Sequence, residues 1–184
     1  YSEAKYAFAV NNATAALELS AQLCQFQPDD EVIIPAHTYT ATAYPFLKKG
    51  AKIVWADIDI KTRVVTAETI EKCITEQTKA IVVVHLYGYC ADMPEIMKLA
   101  KKHELQVIED TAQALGTSTN NQMAGTFGDF GVFSFHSHKN ITTLGEGGML
   151  VVKDKKMANI IPMLRHNGHC YFNFKRENYW LPAM

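Results

Sequence analysis

Lys139 sits in the run SFHSHKNITTLGEGG, from Ser134 to Gly148. An apolar strand expected over residues 130–135 delivers the chain to a polar turn. The lysine follows, and glycines then let backbones crowd together. A lysine held against packed structure is partly desolvated, and desolvation favours its neutral, nucleophilic form. Such an amine can form a Schiff base with a carbonyl compound. A lone loop lysine is ordinarily a surface group, so its meaning depends on what accompanies it.

Asp110 closes the segment VIED, residues 107–110. A carboxylate there could pair with a protonated ring nitrogen; for a pyridoxal phosphate ring, that pairing maintains the electron sink. It could equally cap a helix. Asn12 to Leu17 (NATAAL) reads as a strand-to-helix junction of small residues, where free N–H groups and positive potential would hold a phosphate. Plain capping by Asn12 or Thr14 explains the same residues. Ser134 could offer a hydroxyl to phosphate or be a satisfied strand serine. Tyr39, just past a strand end, could stack on a flat ring or fill core. His136 and His138 form an HxH pair, but no carboxylate or cysteine lies nearby at ligand spacing, so a metal site is not expected. His85, in VHLYG, reads as structural.

The elements that must position these residues alternate. Strands are expected over residues 6–10, 32–35, 52–58, 79–86, 105–109, 130–135 and 148–152. Helices are expected over 14–26, 40–48, 67–74, from Asp92 onward, and 156–165. Residues 81–84 (IVVV) are uninterrupted and suggest a strand covered on both faces. Asp92 can cap the next helix, with Pro94 in its first turn. The pattern implies an α/β domain, a mainly parallel sheet with helices on both faces. Ligands in such sheets bind beyond the carboxyl ends of the strands. Asn11, Asn12, His37, Asp57, His85, Asp110, Ser134 and Lys139 all fall at those ends.

The 184 residues suffice for one domain with a sizeable core. A net charge of -1 gives no nucleic-acid footprint. No apolar run is long enough to span a bilayer. Cys24, Cys73, Cys90 and Cys170 are scattered, with no CxxC pair, so reduced cytosolic thiols and a cytoplasmic protein are expected. No GxGxxG follows a strand, which argues against a nicotinamide enzyme. The chain has no initiator Met and its first strand begins at Tyr6, so an upstream segment is expected.

Taken in order, the segments 12–17, 35–42, 84–88, 109–113, 134–148 and 164–168 resemble the DegT/StrS-type nucleotide-sugar aminotransferases. These are pyridoxal-phosphate enzymes of the aspartate-aminotransferase fold, fold type I. The resemblance implies that residues 1–184 are the cofactor-binding large domain, with the small C-terminal domain missing. It implies Lys139 as the internal-aldimine lysine and proton shuttle, and Asp110 as partner of the pyridine nitrogen. Gln113 would lie near the ring's phenolic oxygen and Tyr39 against the ring. Ala13, Thr14 and Ser134 would contact the phosphate. Relatives that carry histidine in place of the lysine are dehydratases; Lys139 favours transamination. The implied partners are a nucleotide-linked keto-sugar, glutamate or glutamine as amino donor, and a second copy of the chain in a homodimer. The alternative is a non-catalytic remnant that binds cofactor or dimerises.

Overall fold

The computed structural model describes residues 2–166 and 168. In chain order the strands are β1 (Tyr6–Val10), β2 (Glu31–Pro35), β3 (Lys52–Ala56), β4 (Thr78–Val84), β5 (Gln106–Asp110), a small ribbon of β6 (Ser118–Thr119) and β7 (Gln122–Met123), β8 (Phe130–Ser134) and β9 (Gly148–Val152). The helices are α1 (Ala13–Leu23), α2 (Tyr44–Lys48), α3 (Ala67–Glu71), α4 (Met93–Lys102) and α5 (Lys155–Leu164).

Seven strands form one sheet in the order β1-β9-β8-β5-β4-β2-β3. Strand β9 runs antiparallel to both its neighbours, β1 and β8. The pairs β8–β5, β5–β4, β4–β2 and β2–β3 are parallel. All strands of this sheet but β9 therefore point one way. The loops leaving β1, β2, β4, β5 and β8, and the loop entering β9, open on a single edge. That edge is where a mainly parallel sheet holds its ligand.

Successive strand residues face opposite sides, yet Ile81, Val82, Val83 and Val84 are all buried. The sheet is thus covered on both faces, as the apolar run predicts. Leu17, Ile33, Phe46, Met93, Ile96, Ile108, Phe130, Leu150 and Ile161 fill the two covered layers. Asp92 caps α4 through the Glu95 N–H, with Pro94 in the first turn.

Several boundaries differ from those expected, for local reasons. Helix α1 stops at Leu23 because Gln25 takes a left-handed conformation, φ 52°. The expected helix over 40–48 is a 3-10 turn at Thr40–Thr42 followed by α2. Pro45 explains the break: it suits a first helical turn but cannot donate to a preceding one. Strand β4 ends at Val84, and Leu86–Gly88 turns sharply with Tyr87 at φ 55°. Strand β3 ends at Ala56 and α3 at Glu71.

Cys24, Cys73 and Cys90 are free thiols, and burial pushes the Cys24 thiol up to about 12. Cys170 and Asn167 lie outside the described residues. No helix among the described residues is long and apolar enough to cross a membrane.

Candidate active site

A cavity of about 410 Å³ opens at the edge where these loops gather. Asn12, Ala13 and Thr14 come to it from β1, Tyr39 and Thr42 from β2, Asp110 and Gln113 from β5, and Ser134, His136 and Lys139 from β8. All seven residues singled out from the sequence (Ala13, Thr14, Tyr39, Asp110, Gln113, Ser134, Lys139) line this one cavity. Of the wider set of strand-end polar residues, Asn11 lines a separate groove along α1, and His37 and Asp57 do not reach the cavity. His85 is fully buried beneath it.

Asp110 is the last residue of β5 and almost wholly buried. It caps no helix. Its Oδ1 accepts the Ala112 N–H at 3.1 Å and its Oδ2 accepts the Thr42 hydroxyl at 2.9 Å. Since Thr42 spends its proton on Asp110, the Thr38 hydroxyl 2.8 Å away must donate to Thr42. Burial raises the Asp110 carboxyl above its ordinary range, while the Thr42 and Ala112 bonds and the Lys139 charge pull the other way. A buried carboxylate in that state is stabilised by a cationic group brought to it.

At the start of α1, the Asn12 side chain accepts the Ala15 N–H at 2.9 Å. The Ala13 and Thr14 amides precede any intrahelical partner and are the orphan donors of a helix start. Capping and anion binding are therefore compatible here, because they use different amides. Gly148 sets the local spacing: a Cβ there would stand 2.5 Å from the Asn12 carbonyl carbon and 2.8 Å from the Ala13 nitrogen. Only glycine lets β9 run this close beneath the junction.

Gln113 accepts the Tyr87 N–H on Oε1 at 3.2 Å, which leaves its Nε2 donors for a ligand oxygen. Tyr39 is 72% exposed, so it is not core filling. Ser134 is buried at the end of β8, and its Oγ accepts the His136 N–H at 3.4 Å. Lys139 is half-buried, its amide bonded to the His136 carbonyl at 2.9 Å.

Pyridoxal phosphate suits this donor set. The cavity offers a desolvated carboxylate for a pyridinium nitrogen, orphan helix amides for a phosphate, and one primary amine for a carbonyl carbon. No group of three or more His, Cys, Asp or Glu side chains that could hold a metal occurs among the described residues.

The family model of the DegT/DnrJ/EryC1/StrS aminotransferase family matches residues 1–181. The chain belongs to that family. It is 47% identical over 157 residues to a UDP-N-acetyl-3-dehydro-alpha-D-glucosamine 3-aminotransferase of Acidithiobacillus ferrooxidans, covering 85% of this chain and 42% of that protein. It is 41% identical over 184 residues to a GDP-perosamine synthase of Caulobacter vibrioides, covering 100% of this chain and 48% of that one. A solved structure of the Escherichia coli GDP-4-keto-6-deoxy-D-mannose-3-dehydratase with bound hydrated PLP superposes with a TM-score of 0.90 at 28% identity, over 100% of this chain and 52% of that one. The chain spans about half the length of the curated relatives it matches. The mostly parallel α/β architecture of this DegT-family chain matches that of fold-type-I aminotransferase structures.

Three residues in or beside the site were not singled out from the sequence. Thr42 ends a segment the sequence marks, but its bond to Asp110 spans 68 positions. Glu109 is fully buried, and the VIED segment gives no hint of its separate task. Its oxygens accept the N–H groups of Gly125, Phe127 and Gly128 at 2.7–2.8 Å and the His85 Nε2 proton at 2.9 Å. The structural reading of His85 holds: its Nδ1 accepts the Ala91 N–H while Nε2 faces Glu109. Glu146 is the third. It lies 3.3 Å from His136, a carboxylate beside the HxH pair that sequence spacing does not reveal.

Proposed function

We propose that the protein carrying this chain is a pyridoxal-phosphate-dependent sugar aminotransferase, and that this chain is its cofactor-binding large domain. The reaction moves an amino group from glutamate or glutamine to a keto-sugar carried on a nucleotide. The observation that carries the reading is the convergence of Lys139, Asp110 and the start of α1 on one cavity, in a chain of an aminotransferase family. The relatives' nucleotides differ, UDP in one and GDP in another, so the carrier is proposed only as a nucleoside diphosphate.

When bound, pyridoxal phosphate supplies an electron sink for the carbon that loses a proton. The remaining work belongs to the chain. The Ala13 and Thr14 amides and the Ser134 hydroxyl bind the phosphate, at the positive end of α1. Asp110 holds a proton on the ring nitrogen, and the Thr38–Thr42 hydroxyl relay fixes which way its carboxylate faces. Gln113 donates to the ring's phenolic oxygen. Tyr39 covers the ring and excludes water. Lys139 would supply the amine that holds the cofactor and, once free, the base that moves the proton between carbon centres.

A homodimer fits the same reading. Leu144 and Ile141, on the loop that carries Lys139, are 99% and 58% exposed. A second copy would cover them.

Borohydride reduction with added pyridoxal phosphate, followed by peptide mapping, tests the assignment. A covalent adduct is expected on Lys139, absent from Lys139→Ala. An equal yield of adduct in the variant would sink the lysine assignment.

A further inference from the structure

Both amides that shape the backbone at Lys139 end on one residue. The Lys139 N–H donates to the His136 carbonyl at 2.9 Å, and the His138 N–H donates to the His136 Nδ1 at 3.2 Å. The other ring nitrogen, Nε2, reaches the opposite limb of the loop and meets Glu146 Oε1 at 3.3 Å. The two limbs are already joined at their base by backbone bonds: Phe135 N–H to Gly147 O at 2.7 Å and Ser137 N–H to Gly145 O at 2.8 Å. The Thr143 hydroxyl adds a bond to the Glu146 carbonyl at 2.9 Å, which holds the Glu146 backbone in place.

The ring's two contacts select one tautomer. A nitrogen that accepts an N–H carries no proton, so Nδ1 is bare and Nε2 holds the hydrogen that Glu146 accepts. A ring flip would set a C–H against each partner. Glu146 thus decides which face of the imidazole meets the His138 amide, and so the conformation of the residue before the lysine. The His138 ring lies edge-on to the His136 ring at 4.9 Å, which further limits its rotation.

We infer that His136 and Glu146 form a positioning strut that presets the turn carrying Lys139. It acts through the lysine and touches no reacting atom. The inference deepens the proposed function and rests on it for the meaning of Lys139. Glu146 is 55% exposed and His136 36%, so the pair contributes little to global stability. Its effect is local, on two amides and one amine.

The test uses the full protein that carries this chain, freed of cofactor. Amide hydrogen exchange at His138 and Lys139 reads the turn directly. Glu146→Ala is expected to speed exchange at both amides about fivefold, with the urea midpoint unchanged. Glu146→Gln retains an acceptor for Nε2–H and is expected to restore wild-type exchange. His136→Asn offers Oδ1 to the amide two residues on but cannot span to Glu146; it should protect His138 better than His136→Ala does. With pyridoxal phosphate and borohydride, trapping on Lys139 should slow in Glu146→Ala by the same factor as the exchange. Unchanged exchange in Glu146→Ala, or a Glu146→Gln variant as perturbed as Glu146→Ala, overturns the strut. If the wild type itself traps no adduct on Lys139, the aminotransferase reading fails, while the exchange measurement still decides the strut.

Discussion

Glu109 and Asp110 are consecutive carboxylates at the end of one buried strand, and they do opposite things. Glu109 faces the loop of residues 125–128 and receives three backbone N–H groups and one imidazole. Its oxygens are spoken for by the fold. Asp110 faces the cavity with one hydroxyl and one amide, and burial leaves its charge costly. Strand pleating alone sends the two side chains to opposite faces. The difference teaches that a buried charge is structural when donors saturate it and poised for a ligand when they do not. The loop that saturates Glu109 is itself tightly built. A Cβ at Gly131 of β8 would stand 1.9 Å from the Gly125 carbonyl oxygen.

Breaking the saturated side should have the largest effect. Glu109→Ala strands four buried donors, and about 3–5 kcal/mol of stability should be lost. Urea unfolding, or failure to accumulate folded protein, would show it. A loss below about 1 kcal/mol would mean that the loop re-pairs elsewhere.

Asp110→Asn sharpens the contrast. Its amide can still pair with Thr42 and Ala112, so the fold should survive. The rate of amino transfer in the full protein should fall roughly 10²–10³-fold for want of a negative charge. If instead Asp110→Asn unfolds the chain with activity per folded molecule intact, the two carboxylates are not functionally distinct.

The pH dependence of cofactor-free stability separates them again. The Asp110 carboxyl is raised above its unfolded value of 3.8. A raised group contributes stability that is full below 3.8 and is lost as pH climbs through the folded value. Asp110→Asn should therefore flatten stability above pH 3.8, and at neutral pH should equal or exceed wild type. Parallel wild-type and variant curves across that range would contradict this.

Thr42→Val should have the smallest effect. It removes one hydrogen bond to Asp110, worth about 1 kcal/mol, and moves the carboxyl further up. A several-fold loss of cofactor affinity is expected by titration, with little change in unfolding. No change in affinity would remove Thr42 from the site.

The alternation of strands and helices was legible because apolar runs and Asx or proline punctuation are local. Two of the boundaries that moved were set by single residues, Gln25 and Pro45, whose conformation outranks the apolar pattern around them. The ribbon β6–β7 is two residues long on each side, too short to leave a period. Lys139, Asp110, Ser134 and the α1 start were legible because each lies at a strand end, and one sheet edge gathers strand ends. Thr42, Glu109 and Glu146 escaped because their meaning lies in partners distant along the chain, or across a loop, that no local pattern encodes.

The antiparallel edge has a consequence for the order of assembly. Among the described residues, strand β1 finds its only sheet partner in β9, with Tyr6 opposite Val152 and Val10 opposite Gly148. The Arg165 guanidinium then bonds the Ala9 carbonyl at 2.5 Å across 156 positions. Closing so long a segment is slow relative to neighbouring parallel pairs. During synthesis, β2 to β5 can pair while β1 still waits on the ribosome's progress to β9. Gly148 of β9, which packs against the Ala13 amide, arrives only with that closure. The nascent chain is thus expected to complete the β9 side of the α1 start last, with Asp110 already seated.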